Sequence, residues 1–206
     1  VTVELVLATH NAGKVEEFRA MLNSDVPGVA VRAYDGPEPI EDGTGFAANA
    51  LIKARAAAAH TGLVALADDS GICVDVMGGS PGIFSARWAG PGHDAQANLQ
   101  LLLAQLADLR DPNRAAHFTC HIAVVVPETL LPGGYETVVS GDWPGRIALE
   151  PRGTNGHGYD PIFVPDGYDV TTAELDAAEK NRVSHRARAF AALREELVAV
   201  LGRLDA

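Results

Sequence analysis

Short apolar runs and longer helical stretches follow one another along this chain in an order that few folds accommodate. Residues 3–8 (Val-Glu-Leu-Val-Leu-Ala) read as a buried strand, and after a polar turn a helix is expected from about Lys14 to Leu22. A second strand is expected over 29–34, then a Pro/Gly/acidic loop, "DGPEPIEDGTG", and an Ala-rich helix from about Phe46 to His60. Residues 63–67 and the "ICVDVM" run read as two further strands, with Asp68-Asp69-Ser70-Gly71 as an acidic tip after the first. A leucine-rich helix over 95–107 and a strand over 117–126 come next. Strands over 135–142 and 146–149 are expected as partners in a hairpin or meander, and helices at about 173–180 and 185–203 close the chain. Phe190, Leu193, Leu197, Leu201 and Leu204 fall three or four apart, one apolar stripe on the last helix. Alternation of strand and helix that breaks in the middle implies an α/β protein with a mixed sheet. With no repeat, low-complexity tract or flexible linker, the expectation is a single domain over 1–206, two lobes around a central substrate cleft.

Composition excludes some classes of function. A net charge of −11 disfavours broad binding to a nucleic-acid backbone, though a small anion needs only a local positive pocket. Cys73 and Cys120 lie in apolar strand-like runs, as reduced buried thiols would. The start, "VTVELVLA", has no basic flank or long apolar core, and no run is long enough for a membrane span, so a cytoplasmic protein is expected. Of 16 Lys plus Arg, the lysines are Lys14, Lys53 and Lys180 alone.

Five stretches carry residues suited to chemistry. In "THNAGK", Thr9, Asn11, Gly13 and Lys14 sit in a strand-to-helix turn, where backbone N–H groups and an ammonium favour anions. Ala8 and Val15 stand where a P-loop needs Gly and Ser or Thr, so this is no Walker loop; an ordinary turn with Asn11 as cap explains the residues equally well. In "ADDSG", two acids suit a hard divalent cation, but strand alternation turns Asp68 and Asp69 to opposite faces, so one is structural; a simple Asx turn is the competing account. Glu41-Asp42 precede a helix on which Asn49 and Lys53, four apart, share a face that suits either phosphate or solvent. "GHGYDP" combines backbone freedom with His157 or Tyr159 as a flat face for a base; a plain loop is the alternative. In "AEKNRVSHRARAF", Ser184 is a good N-cap, which puts His185 and Arg186 in a first helical turn, against the helix dipole unless they meet an anion or a carbonyl. "HFTCH" is no zinc triad, because Cys120 faces away from His117 and His121.

Taken in order, "LATHNAGKVEEF", "GFAANALIKARAAA", "ADDSGICVDVMGGSPGIFSARWAG", "NLQLLL", "GYDPIF" and "AEKNRVSHRARA" resemble the inosine/xanthosine triphosphate pyrophosphatases over nearly the whole chain. The resemblance implies an elongated mixed α/β fold, a Mg²⁺-dependent cleft, a cytoplasmic homodimer, and hydrolysis of non-standard purine nucleoside triphosphates (ITP, dITP, XTP) to monophosphate and pyrophosphate. Carried over by motif, Thr9, His10, Asn11, Ala12, Gly13, Lys14 and Lys53 hold the triphosphate. Glu41 and Asp69 serve the metal, with Asp69 also the proton acceptor, and Ser70 contacts substrate. His157, Gly158, Tyr159, Asp160, Lys180, His185 and Arg186 surround the purine and its sugar-phosphate. Donors from His185 and Arg186 to a purine O6 would be left unpaired by adenine's amino group, a mismatch worth up to roughly 10⁴-fold. Two departures stand out: His157 replaces the family's usual Phe before "GYD", and His10 replaces a common Gly. The competing functions are a pyrophosphatase for modified pyrimidine or methylated nucleotides, and a non-catalytic nucleotide-binding module.

Overall fold

The computed structural model describes residues 3–26 and 28–204; Val1, Thr2, Pro27, Asp205 and Ala206, which the expected domain includes, lie outside the described residues. Strand β1 (Val3–Leu7) runs parallel to both β2 (Val29–Ala33) and β3 (Val64–Val74). Its Leu5, Val6 and Leu7 are wholly buried, which is why this run is apolar without alternation. Parallel neighbours need crossovers, and helices α1 (Ala12–Asp25) and α2 (Phe46–Thr61) supply them. After β3 come β4 (Ser80–Pro81), α3 (Ala95–Gln105), β5 (Ala115–Val126), β6 (Tyr135–Ile147), β7 (Phe163–Pro165), α4 (Ala177–Val183) and α5 (His185–Leu204). The sheet order is β2-β1-β3-β5-β6-β7, with β4 antiparallel on β3 and β7 antiparallel to β6. This is the mixed α/β sheet expected from the order of elements.

The chain divides into two compact units, with β3, β5 and β6 contributing residues to both. The first holds the chain through Asp69, His121–Ser140 and the part from Ala189 onward. Its core joins Val6, Ala65 and Val125 of the sheet to Ala50, Ala54, Ala57 and Ala58, the buried face of α2. The second holds Ser70–Cys120 and Gly141–Arg188, around Ile72, Leu102, Trp143 and Phe163. Within it the buried guanidinium of Arg114 donates to the carbonyls of Ile147, Leu106 and Ala148, each at 2.7 Å, so its desolvation is offset by full hydrogen bonding. Cys73 and Cys120 are buried free thiols, and burial pushes Cys73 up to about 11, as suits an inert one.

Four expectations about these elements need correction. Asp68-Asp69-Ser70-Gly71 is not a tip between two strands but the middle of one continuous strand, β3. Residues 135–147 likewise make one strand, not a hairpin pair, and the expected second strand stops at Ile147: "DWPG" lies inside β6. Gly145 is needed there because a Cβ would stand 2.3 Å from the Val164 carbonyl of β7, so the turn signal marks a close backbone approach. The helix expected at 173 begins at Ala177, because Ala173 N–H is used by the Asp160 carbonyl (3.2 Å) and Asp176 caps the helix through Glu179 N–H (2.7 Å). On α5 the buried stripe runs Phe190, Leu193, Leu197 and then Val200 in place of Leu201.

Candidate active site

The first unit builds a charged cavity from three consecutive pieces of chain. Leaving β1, the turn places Asn11 as the cap of α1, its Oδ1 accepting from Lys14 N–H at 3.2 Å. Ala12 and Gly13 are exposed in the first turn, at the positive end of the helix. The Lys14 ammonium reaches back to the Asp68 carboxylate of β3 and donates to both oxygens at 2.9 Å. Asp68 is only 3% exposed, so this ion pair is half in the core. From the acidic loop, Glu41 meets Lys53 of α2 at 3.2 Å, and the same ammonium lies 3.8 Å from Asp69. Asn49, one turn before Lys53, is buried; its amide donates to Asp69 Oδ2 at 3.3 Å and accepts from Gly43 N–H at 3.0 Å. The i, i+4 spacing thus brings both side chains onto one carboxylate. The cavity encloses about 210 Å³ and is lined by Thr9, Lys14, Tyr34, Glu41, Lys53 and Asp68 among others.

Strand alternation does separate the two acids, since Asp68 takes Lys14 while Asp69 takes Asn49 and Lys53. Burial pushes the Asp69 carboxyl above the ordinary carboxylate range; Lys53 and the Asn49 amide pull the other way, and Glu41 and Asp68 add to the rise. A carboxylate raised in this manner beside the Lys53 ammonium is equipped to take a proton from water. Ser70 follows it on β3, half-buried. His10 turns away from these groups: its Nε2 bonds the Gly36 carbonyl at 3.0 Å and its Nδ1 faces Glu38 at 3.2 Å.

The second unit holds the rest. Asp160, buried, is the organiser of "GHGYDP": its carboxylate accepts from His157 N–H (2.7 Å), from Thr172 Oγ1 (2.9 Å) and from the Lys180 ammonium (2.5 Å). Gly156, at φ +75°, leaves room for it, since a Cβ there would fall 2.1 Å from Asp160 Oδ2. Tyr159 is core rather than an open face for a base: it is buried, and its hydroxyl donates to the Ser85 carbonyl at 2.8 Å. His157 is exposed, as the loop's accessible aromatic ring, and Gly158 beside it has φ +62°. Ser184 Oγ accepts from Ala187 N–H at 3.3 Å, capping α5 as expected. His185 stacks on Phe118, ring centres 4.9 Å apart, and Arg186 beside it is half-buried. Lys14 and Lys53 therefore share one cavity, while Lys180 is held by Asp160 in the other unit. Sequence reasoning overlooked Asp68 as the Lys14 partner, and Tyr34 and Glu38 as cavity walls, whereas the shared face of Asn49 and Lys53 was legible.

A divalent ion suits these donors. No group of three or more His, Cys, Asp or Glu side chains converges on a metal position among the described residues. Mg²⁺, however, typically takes one or two protein carboxylates and completes its shell with water and substrate phosphates, and Glu41 and Asp69 already share one cation, Lys53.

Parallel strands feeding helix N-termini, with lysines and acids gathered in one cavity, define an α/β protein equipped for phosphate chemistry. Residues 5–196 match the Ham1 family, and the chain belongs to that family. It is 66% identical over 191 residues to the dITP/XTP pyrophosphatase of Leifsonia xyli subsp. xyli, covering 93% of this chain and 94% of that protein. With the dITP/XTP pyrophosphatase of Streptomyces coelicolor the identity is 54%, over 92% and 94% of the two chains. Among solved structures, a HAM1 protein from Coxiella burnetii superposes with TM-score 0.87 at 40% identity, over 96% of this chain and all of that one. The nucleoside-triphosphatase, or dITP/XTP pyrophosphatase, of Mycobacterium abscessus gives TM-score 0.79 at 47% identity, over 93% and 97%.

Proposed function

We propose that this chain is a dITP/XTP pyrophosphatase, adding water across the α–β phosphoanhydride of non-standard purine nucleoside triphosphates to release monophosphate and pyrophosphate. The observation that carries this is the first unit's cavity: two lysines, each neutralised by carboxylates, beside an aspartate whose carboxyl is raised by burial. Full-length likeness to pyrophosphatases of that name supports the substrate class. Lys14 and Lys53 exchange their carboxylate partners for phosphate oxygens, while Thr9 and the N–H groups of Ala12 and Gly13 take others. Asp69 receives the proton of the attacking water, and Asn49 keeps its carboxylate oriented. Mg²⁺ held by Glu41 and Asp69 would neutralise charge that develops on the phosphates. His157, Lys180, His185 and Arg186 are assigned to the purine and its sugar-phosphate, with buried Asp160 and Tyr159 fixing that loop from beneath. Among the described residues no helix is long and apolar enough to cross a membrane. The proposed working form is a cytoplasmic homodimer, which sedimentation of the purified chain tests.

Pyrophosphate release from dITP, XTP, GTP and ATP at equal concentration, with and without Mg²⁺, tests the activity. dITP and XTP are expected to exceed ATP by about 10²-fold or more, the scale at which unpaired donors discriminate. Equal rates on all four, or no turnover of dITP with Mg²⁺, would defeat the proposal.

A further inference from the structure

His10 stands in the turn between β1 and α1, and its ring reaches toward the acidic loop. Its ring lies parallel to Tyr34, 5.8 Å between centres, and both nitrogens face acceptors on the acidic loop: the Gly36 carbonyl at 3.0 Å and the Glu38 carboxylate at 3.2 Å. One ring thus reaches two groups of the acidic loop at once, one from each nitrogen. Tyr34, itself buried, donates its hydroxyl to the Pro37 carbonyl at 3.0 Å, so the 34–38 segment is tied down from two sides. Glu38 matters because it also lines the cavity that contains Lys14 and Lys53. An uncompensated carboxylate in that wall opposes every phosphate that enters.

We propose that His10 is a positioning residue for the reaction: it clamps the 36–38 segment and engages Glu38, holding that carboxylate off the phosphates bound in the cavity. The inference rests on reading the cavity as the phosphate site, and it gives the histidine a role that the phosphate-gripping groups of the same turn do not share. Asn11 and Lys14 serve the cap and the anion; His10 serves the wall opposite. Glu38 and His10 are both substantially exposed, 72% and 47%, so the effect is modest and falls on affinity rather than on the chemical step.

The test is calorimetric titration of the full chain with inorganic pyrophosphate in the presence of Mg²⁺, for the wild type and for His10→Gln, Glu38→Gln and the double variant. Glutamine keeps a donor for the Gly36 carbonyl but has no second nitrogen to reach Glu38, so the two contacts of the clamp are separated. His10→Gln is expected to bind pyrophosphate about threefold to fivefold more weakly, the scale of one exposed polar contact. Glu38→Gln should bind at least as tightly as the wild type, and the double variant should return to within about twofold of it. A structural role alone would not be rescued by the second substitution. Wild-type affinity in His10→Gln, or a double variant as weak as His10→Gln, overturns the proposal. Should His10→Gln fold poorly, Glu38→Gln still decides, because a loss of affinity there contradicts a repelling carboxylate. Turnover of dITP by the wild type, measured in parallel, separates the two levels. If the wild type turns dITP over while the variants bind alike, only the His10 inference falls; if it neither turns over nor binds pyrophosphate, the cavity reading falls and takes the inference with it.

Discussion

Asp69 carries two opposing demands, and its environment shows which wins. Burial raises its carboxyl, Lys53 and Asn49 lower it, and burial is the larger effect. A carboxyl raised in the folded state is charged at some cost to folding: the native form holds its proton to higher pH than the unfolded form does. Stability is therefore unaffected by this group below the ordinary carboxylate range. It declines as pH rises from there through the raised native value, and stays lower at neutral pH. Asp69→Asn removes that cost while keeping the size of the side chain and an acceptor for the Asn49 amide. In metal-free buffer the variant is expected to melt a few degrees higher than the wild type at pH 7, with the gap closing near pH 3. Its dITP turnover should fall by about 10²-fold to 10⁴-fold, the usual weight of a general base. Thermal melts across pH, set beside initial rates, check both. A variant that melts lower at pH 7 would mean that Lys53 outweighs burial at this position.

At the scale of elements, the glycine near the end of β6 has a measurable price. A methyl at Gly145 would stand 2.3 Å from the Val164 carbonyl and 2.8 Å from the Pro165 Cα, both backbone atoms of β7. Gly145→Ala is expected to lower stability by about 1–3 kcal/mol, as overpacking does, seen as a drop in the urea midpoint with unchanged slope. An unchanged midpoint would show that β7 moves aside freely. The same strand explains what could be read beforehand. Apolar runs and the Ala face of α2 predicted β1, β2, α1, α2, α3 and α5 to within a few residues, because burial alone selects those residues. The sequence predicts an acidic tip at 68–71 and a break between strands at 142 and 146 because turn chemistry is local. In β3 and β6 those residues answer to non-local needs: lysines arriving from α1 and α2, and a neighbouring strand's backbone. The lysines were legible through their rarity. Their partners were not, since Asp68, Glu38 and Tyr34 meet Lys14 and its turn only after β1 and β3 pair.

For the whole molecule, charge sets a problem that the cavity solves only locally. A chain of net charge −11 acts on a polyanion, and even inside the cavity two ammonium groups face the carboxyl groups of Asp68, Glu38 and Glu41, with Asp69 adjoining. Long-range repulsion thus opposes encounter, while close pairing with Lys14 and Lys53 is what we propose holds the substrate once it arrives. Salt separates the two contributions, because screening removes distant interactions before close ones. Between about 0.01 M and 0.15 M salt the Debye length shrinks from about 30 Å to about 8 Å, which hides most of the protein's surface charge from an approaching nucleotide. The kcat/KM for dITP is expected to rise about twofold over that range at fixed free Mg²⁺, whereas an enzyme that steers phosphates with a basic surface would lose rate. Initial rates at low substrate concentration across a KCl series measure it directly. A steady fall in kcat/KM would mean that the lysines' own field, and not the net charge, governs approach.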